Sequence, residues 1–438
     1  MNLFKKKIFY IKKMNSTVHI INSNEDISES DNNTKLKILN YTGDKKSDFV
    51  QYRGYIIDNN NNLICPSFGH TEELLIDSNF EVPNPEQWKW FYSIEGTLLR
   101  LFYYDGQWYL TTHKKLSAFR SRWSCKYSFG DIFLKYIDEN YEKELKEYFE
   151  NEALNLNKNE TESETDSDSL ENEGRQRVES FDLYKRQFDW FTSNLDNNTC
   201  YYFLLRCNSQ NRIICNINHL KKNEKCIFVA YRKDNEFHLI SKETNLDSEN
   251  FKIFSKFDKI EQLTDLQSVE SIREKVNSID PFIYQGIVGF NFQNEKIKVL
   301  KILNKSYKEW ITIRGNNPNI RLRYLELRKT PDMLEKLFNL YPNQSEAFDK
   351  IEENMLLLSR KIHRCYVDRY IKNKYVTLPK DEYLVMKKCH DIYLADRKTK
   401  IFSKNVLSIL NDLSPYTLYN MLRRLESEKK GNFGKNIL

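Results

Sequence analysis

The chain has 438 residues, 40% of them hydrophobic and 30% charged, a balance that predicts a globular protein with two or three cores and excludes a disordered tail protein. No run of 18 apolar residues occurs, and the lysine-rich opening carries only Ile8-Phe9-Tyr10-Ile11 behind it, so neither a membrane span nor a secretion signal is expected. The eight cysteines form no CxxC pair and no regular spacing, which points to free thiols in an intracellular, reducing compartment (cytoplasm or nucleus) and to no bound metal.

The first segment, residues 1–34, has neither hydrophobic period and is expected to be a disordered leader, with Met14 as a second candidate start. Residues 35–310 read mostly as short strands. The clearest are Leu98–Tyr103 and Gln107–Thr112, which flank Asp105-Gly106, a pair suited to the positive φ of a two-residue hairpin turn. Gly54–Ile57, Tyr202–Leu205, Arg212–Cys215, Cys226–Tyr231 and Ile287–Phe290 are further strand candidates. Residues 151–174 hold eight acids and one lysine, so 151–178 is expected to be a disordered acidic insertion.

Residues 311–438 turn helical and basic, with 25 Lys or Arg against 15 Asp or Glu beyond Ile311. Thr330-Pro331 and Ser414-Pro415 each set a capping side chain before a proline suited to the first helical position. Ile351, Met355, Leu358 and Ile362 recur at helical spacing, with Arg360, Lys361 and Arg364 off that stripe and Arg369, Lys372 and Lys374 continuing the basic run. Those six cations are the candidate contacts to RNA or another polyanion, through phosphates and without base reading. The seven histidines are scattered, and His70, His113, His363 and His390 read as surface or packing residues. No phosphate loop, dinucleotide, zinc-protease or hydrolase motif is present.

Five blocks between Gln51 and Tyr307 stand in a recognisable order. They are Arg53-Gly54-Tyr55-Ile56-Ile57-Asp58 with Pro66-Ser67-Phe68, then Ser93-Ile94-Glu95-Gly96-Thr97, Tyr202-Phe203-Leu204-Leu205 leading to Asn211-Arg212-Ile213, Gln285-Gly286-Ile287-Val288, and Lys301-Ile302-Leu303 followed by Tyr307. Together they resemble the phage-type RNA ligase family of the covalent nucleotidyltransferase superfamily. That resemblance implies an α+β chain: an antiparallel-rich nucleotidyltransferase (ATP-grasp-like ligase) domain, followed here by the all-α C-terminal domain. It also implies a nucleotide pocket formed by Arg53, Glu95, Gly96, Arg212, Gln285 and Lys301.

The departures from the family pattern bear on activity. The family joins RNA ends through a lysine that attacks the α-phosphate of ATP, and where it has Lys-x-Asp-Gly this chain has Ser93, which cannot form a phosphoramidate. Leu205 replaces a sugar-binding glutamate, Gln285 a metal-binding glutamate, and Leu303 the second phosphate lysine. Glu95, two residues beyond Ser93, is expected to share its strand face. The expected protein is thus a noncatalytic RNA-ligase-like module that binds nucleotide or nucleic acid, with no certain cofactor. The alternatives are an active ATP- and Mg-dependent RNA ligase whose nucleophile has moved to Lys89, Lys114 or Lys115, or with Lys296-Ile297-Lys298 as its last motif, and a protein-interaction scaffold.

Overall fold

The computed structural model describes residues 27–31, 35–39, 52–77, 80–123, 126–159, 172–206, 225–293 and 296–433. The chain is α+β and antiparallel-rich, with an all-helical C-terminal region, and it divides into two compact units, Met1–Lys308 and Glu309–Leu438.

In the first unit, strands β1 (Ile27–Asp31), β2 (Leu36–Leu39), β3 (Ile56–Asp58) and β4 (Leu63–Cys65) form a small antiparallel meander. Ile27–Asp31 therefore departs from the expected loose leader, because pairing with β2 satisfies its backbone groups. Next come β5 (Thr71–Leu75), β6 (Lys89–Ser93), β7 (Thr97–Tyr104) and β8 (Gln107–Thr112). The expected hairpin is β7–β8, turned by Asp105 at φ 48° and Gly106 at φ 84°.

Helices α1 (Phe129–Asn140), α2 (Glu142–Asn159) and α3 (Asn172–Ser193) follow. They correct the strand reading of this region and also the limits of the acidic insertion, since helix enters residues 151–178 from both sides. Glu152 of α2 is held by Arg186 of α3 at 2.7 Å, an ion pair that the acidic composition concealed. The middle of the insertion, 160–171, lies outside the described residues, as do Asn211-Arg212-Ile213 and the strand expected at Arg212–Cys215.

Strands β9 (Cys200–Arg206), β10 (Lys225–Lys233), β11 (Glu236–Leu239) and β12 (Gln262–Leu263), helix α4 (Val269–Ser278) and strands β13 (Gly286–Gln293) and β14 (Lys296–Leu303) complete the unit. Two five-stranded sheets result, ordered β11-β10-β9-β7-β8 and β12-β6-β13-β14-β5, and only the β14–β5 pair is parallel among the described strands. The outer face of the first sheet buries Leu99, Leu101, Phe203, Leu205 and Phe228 against Phe133, Ile137 and Phe191 of α1 and α3. The outer face of the second buries Trp90, Ile287, Leu300 and Ile302 against Ile272 and Val276 of α4. The inner faces are turned toward each other, with Phe68 in ring contact with Tyr202 and Phe237 on one side and Phe290 on the other.

The division between units falls within α5 (Lys305–Arg314). The second unit continues through α6 (Ile320–Leu327), α7 (Pro331–Leu340), α8 (Ser345–Tyr366), α9 (Lys380–Ala395), α10 (Ser403–Asn411) and α11 (Pro415–Phe433). Both proline-marked starts, α7 and α11, stand where expected, and Ile351, Met355, Leu358 and Ile362 are the buried stripe of α8. Tyr324 stacks on Phe348 at 4.8 Å, and Arg328 grips Glu352 with two bonds of 2.6 and 2.8 Å. Arg424 of α11 likewise grips buried Glu382 of α9 with bonds of 3.1 and 3.0 Å, so a charge inside this unit is neutralised where it is buried.

One backbone position permits a sharp test. Gly286 sits at φ 144°, and a Cβ there would stand 2.0 Å from the carbonyl oxygen of Ile302. Gly286→Ala should cost at least about 2 kcal/mol in chemical denaturation. A variant as stable as the parent would show that β13 can slide away from β14.

Candidate functional site

The two facing sheets enclose a cavity of about 220 Å³ whose walls are Phe68, Phe91, Leu98, Leu204, Val229, Val288 and Phe290. Its polar fringe is Thr71, Ser93 and Lys301. Phe68, Thr71, Leu98, Val299 and Lys301 also line an adjoining cleft of about 1230 Å³, in which Arg53, Lys298 and Lys308 supply cations, His70 and His113 imidazoles, and Glu72, Glu73 and Glu81 acids.

Three side chains meet at one oxygen, the first of them 192 residues from the second and the third 16 residues farther on. Ser93, at the end of β6, donates its hydroxyl to Oε1 of Gln285 at 3.0 Å, and Nζ of Lys301 on β14 donates to the same oxygen at 3.0 Å. Register explains the meeting: Ser93 lies opposite Gly286 on β13, and Val288 opposite Lys301 on β14. The Gln285 amide is oriented from its other end, where Nε2 donates to the Tyr307 hydroxyl at 2.8 Å. Ser93 and Gln285 are both buried.

The other expected pocket residues are distributed differently. Arg53 lines the cleft and not the cavity, and it donates to Nδ1 of His70 at 3.3 Å. Because β6 ends at Ser93, Glu95 lies in the connection to β7 and does not share the Ser93 strand face; it is buried but is not part of the cavity wall. Gly96 serves packing, since a Cβ there would meet the Leu204 side chain at 2.8 Å. Arg212 lies outside the described residues.

Leu205 requires a correction. Residues alternate faces along a strand, and β9 turns Leu204 to the cavity and Leu205 into the helix-covered core. A sugar-binding group at 205 would therefore face away from the cavity. The proposed alternative lysines fare no better: Lys89, Lys114 and Lys115 are exposed and line neither space, and Lys89 stands 5.8 Å over the Phe292 ring. Lys298 is exposed and lines only the cleft.

A hard divalent cation does not fit the position that the resemblance assigns to it. Gln285 offers a single amide oxygen that already accepts from two donors. Among the described residues no group of three or more His, Cys, Asp or Glu is placed to hold a metal.

Phe68, part of the Pro66-Ser67-Phe68 block but without a pocket role in the sequence reading, is the ring shared by cavity and cleft. Sequence reasoning also missed Arg100, whereas His113 packs against Gly54, in keeping with its reading as a surface or packing residue. Arg100 is fully buried and donates to the carbonyls of Gly54 and, at 2.8 Å, Thr112, so it ties the meander to β8. Beside it, burial first and then the charges of Arg100, Arg53 and Lys114 hold the His113 imidazole down to about 3 from its usual 6.5. His113 is thus neutral in the folded protein at all but strongly acid pH.

No known family profile matches the chain. It is similar to an immediate-early protein ICP-46 homolog of Invertebrate iridescent virus 6, 25% identical over 336 residues that make up 74% of this chain and 63% of that protein. The homolog of Invertebrate iridescent virus 3 is 26% identical over 320 residues, 72% of this chain and 57% of the relative, so the chain spans about three-fifths of the length of the curated relatives it matches. Among solved structures, a candidate ATP-dependent DNA ligase from Aquifex aeolicus aligns over 75% of this chain and 76% of its own at 15% identity and a TM-score of 0.36, a likeness too low to support an inference. Among the described residues no helix is long and apolar enough to cross a membrane.

Two predictions follow from the geometry. Leu205→Glu should lose about 3 kcal/mol or more, or fail to fold, because it buries an unpaired carboxylate, whereas Leu204→Glu should remain folded with its carboxylate toward the cavity. The reverse order of thermal midpoints would refute the assigned faces. For His113, the unfolded chain binds a proton below pH 6.5 and the folded one does not until about 3, so stability is full above 6.5 and falls as pH drops through that window. The slope from this group approaches about 1.4 kcal/mol per pH unit, and His113→Gln should flatten it in urea titrations run from pH 4 to 7. An unchanged slope would mean that the imidazole is protonated in the fold.

Proposed function

We propose that the Met1–Lys308 unit is an RNA-ligase-like nucleotide-binding module, and that the Glu309–Leu438 unit holds RNA or another polyanion through phosphate contacts. One observation carries the reading: Ser93, Gln285 and Lys301, matched to three separate family blocks, share one oxygen at the edge of an apolar cavity between two sheets. A nucleobase suits the aromatic and aliphatic walls, and Lys301 supplies a cation for a phosphate where cavity meets cleft. Arg53 supplies a second cation farther along the cleft.

The module binds without sealing ends. A serine alcohol at position 93 cannot take the place of the lysine amine, and its hydroxyl is committed to an amide oxygen and not to a base. The thiols and the absence of any CxxC pair suit an intracellular, reducing compartment.

Incubation with ATP labelled at the α-phosphate separates the readings. Calorimetry should show saturable ATP binding, Lys301→Ala should weaken it on the order of tenfold through loss of a charge-assisted hydrogen bond, and no label should survive denaturing electrophoresis. A denaturation-resistant AMP adduct would replace this reading with the active ligase, and absence of saturable nucleotide binding would leave the scaffold.

A further inference from the structure

The basic surface of the second unit is not uniform. Lys361 is paired with Glu428 of α11, Lys372 with Asp368 at 3.0 Å, and Arg369 lies over the rings of Tyr370 and Tyr383 at 5.7 and 5.4 Å. Among the described residues no ion pair within 4 Å ties Arg360, Arg364 or Lys374 to an acid, although after the Lys372 hydrogen bond the charges of Lys374 and Arg364 also help hold the Asp368 carboxyl below its usual range. Arg360 and Arg364 are one turn apart on the exposed side of α8, about 6 Å along its axis, close to the separation of neighbouring phosphates in a nucleic-acid strand.

That track ends in an unusual tip. α8 closes in a π-helical turn, Val367–Ile371, a geometry found often at functional sites. The chain then reverses through Asn373 at φ 53°, with the Lys372 amide donating to the Val367 carbonyl at 3.0 Å and the Lys374 amide to that of Asp368 at 2.8 Å. Its base is pinned to α9, where Tyr370 stacks on His390 with centroids 3.8 Å apart and planes 11° apart. At the end of this anchored turn Ile371 is 65% exposed, and beyond it Tyr375 is 91% exposed. A single exposed apolar residue is ordinary, but here an open ring stands at the end of a cationic track. From Arg360 to Tyr375 the chain has six Lys or Arg and one acid, Asp368.

We propose that the α8–α9 tip is a base-stacking element that makes the second unit prefer single-stranded RNA, with Arg360, Arg364 and Lys374 on successive phosphates and a base on the open face of Tyr375. This rests on the reading that the unit binds nucleic acid and adds its preferred form. Stacking needs an unpaired base, since in a duplex every internal base face is already covered, and phosphate contacts alone do not discriminate the two. The anchored turn presents the ring at little ordering cost.

Full-length protein should be titrated with a single-stranded RNA, its duplex form and phosphatidylserine vesicles across a range of salt. Tyr375→Ala should reduce single-strand affinity about 5- to 100-fold, leave duplex affinity and the salt slope unchanged, and be rescued by Tyr375→Phe. Arg360→Gln with Arg364→Gln should flatten the single-strand slope by about 1.4. Both sets lie on the exposed surface, and equal thermal midpoints will confirm folding. If Tyr375→Ala binds single strands like the parent while the arginine variant weakens, the stacking element is refuted and RNA binding by the unit stands. Equal losses on both RNA forms, or a loss confined to vesicles, also refute it. If the parent binds neither RNA form, the functional reading falls together with this one.

Discussion

Strand β9 is buried on both faces, and the first unit is arranged around that constraint. Six of the seven positions from Cys200 to Arg206 are buried, so a one-residue slip in register would exchange two different environments and not merely core for solvent. Tyr201, Phe203 and Leu205 are committed to the aromatic core under α1 and α3, while Tyr202 and Leu204 are committed to the face that meets Phe68 and the cavity. The strands on either side, β7 and β10, inherit this division through their hydrogen-bonded register with β9. A cavity between two sheets persists because each sheet has spent its other face on helices.

Within that frame Gln285 is the point at which the cavity's polar edge is set. As an amide it donates to Tyr307 and accepts from both Ser93 and Lys301, which satisfies a buried side chain at each end. A carboxylate in its place would accept from Ser93 and Lys301 but could not donate to Tyr307 while ionised, and it would add a buried negative charge beside the lysine. The residues at positions 93 and 285 are therefore mutually consistent: a small hydroxyl and a neutral amide share one oxygen with the Lys301 ammonium.

In the second unit the structure sorts cations that composition treats alike. Lys361 and Lys372 are spent on acids of the same unit, and Arg424 and Arg328 neutralise carboxylates in its interior. What remains on the outer side of α8 is a short row leading to an anchored aromatic tip. Net charge describes attraction over distance, whereas ion pairing within the fold decides which cations stay at the surface.

Much of this was legible in the sequence wherever local chemistry dictated it. Asp105-Gly106 determined a hairpin through positive φ, Thr330-Pro331 and Ser414-Pro415 determined helix starts, and the spacing of Ile351, Met355, Leu358 and Ile362 determined the buried side of α8. The order of the blocks set Ser93, Gln285 and Lys301 in one expected pocket, and these three side chains do meet at one oxygen, whereas Arg53, Glu95 and Gly96 of the same expectation lie outside the cavity wall. Only the tertiary structure decided which way Leu205 points, that Glu95 leaves the strand, that Arg100 is buried beside a half-buried His113, and that Ile27–Asp31 and both flanks of the acidic stretch take regular structure. The reason is range: turns and caps are settled by neighbours a few residues away, while face, burial and charge pairing depend on partners such as Gln285 for Ser93 or Glu428 for Lys361, which the chain brings together only by folding.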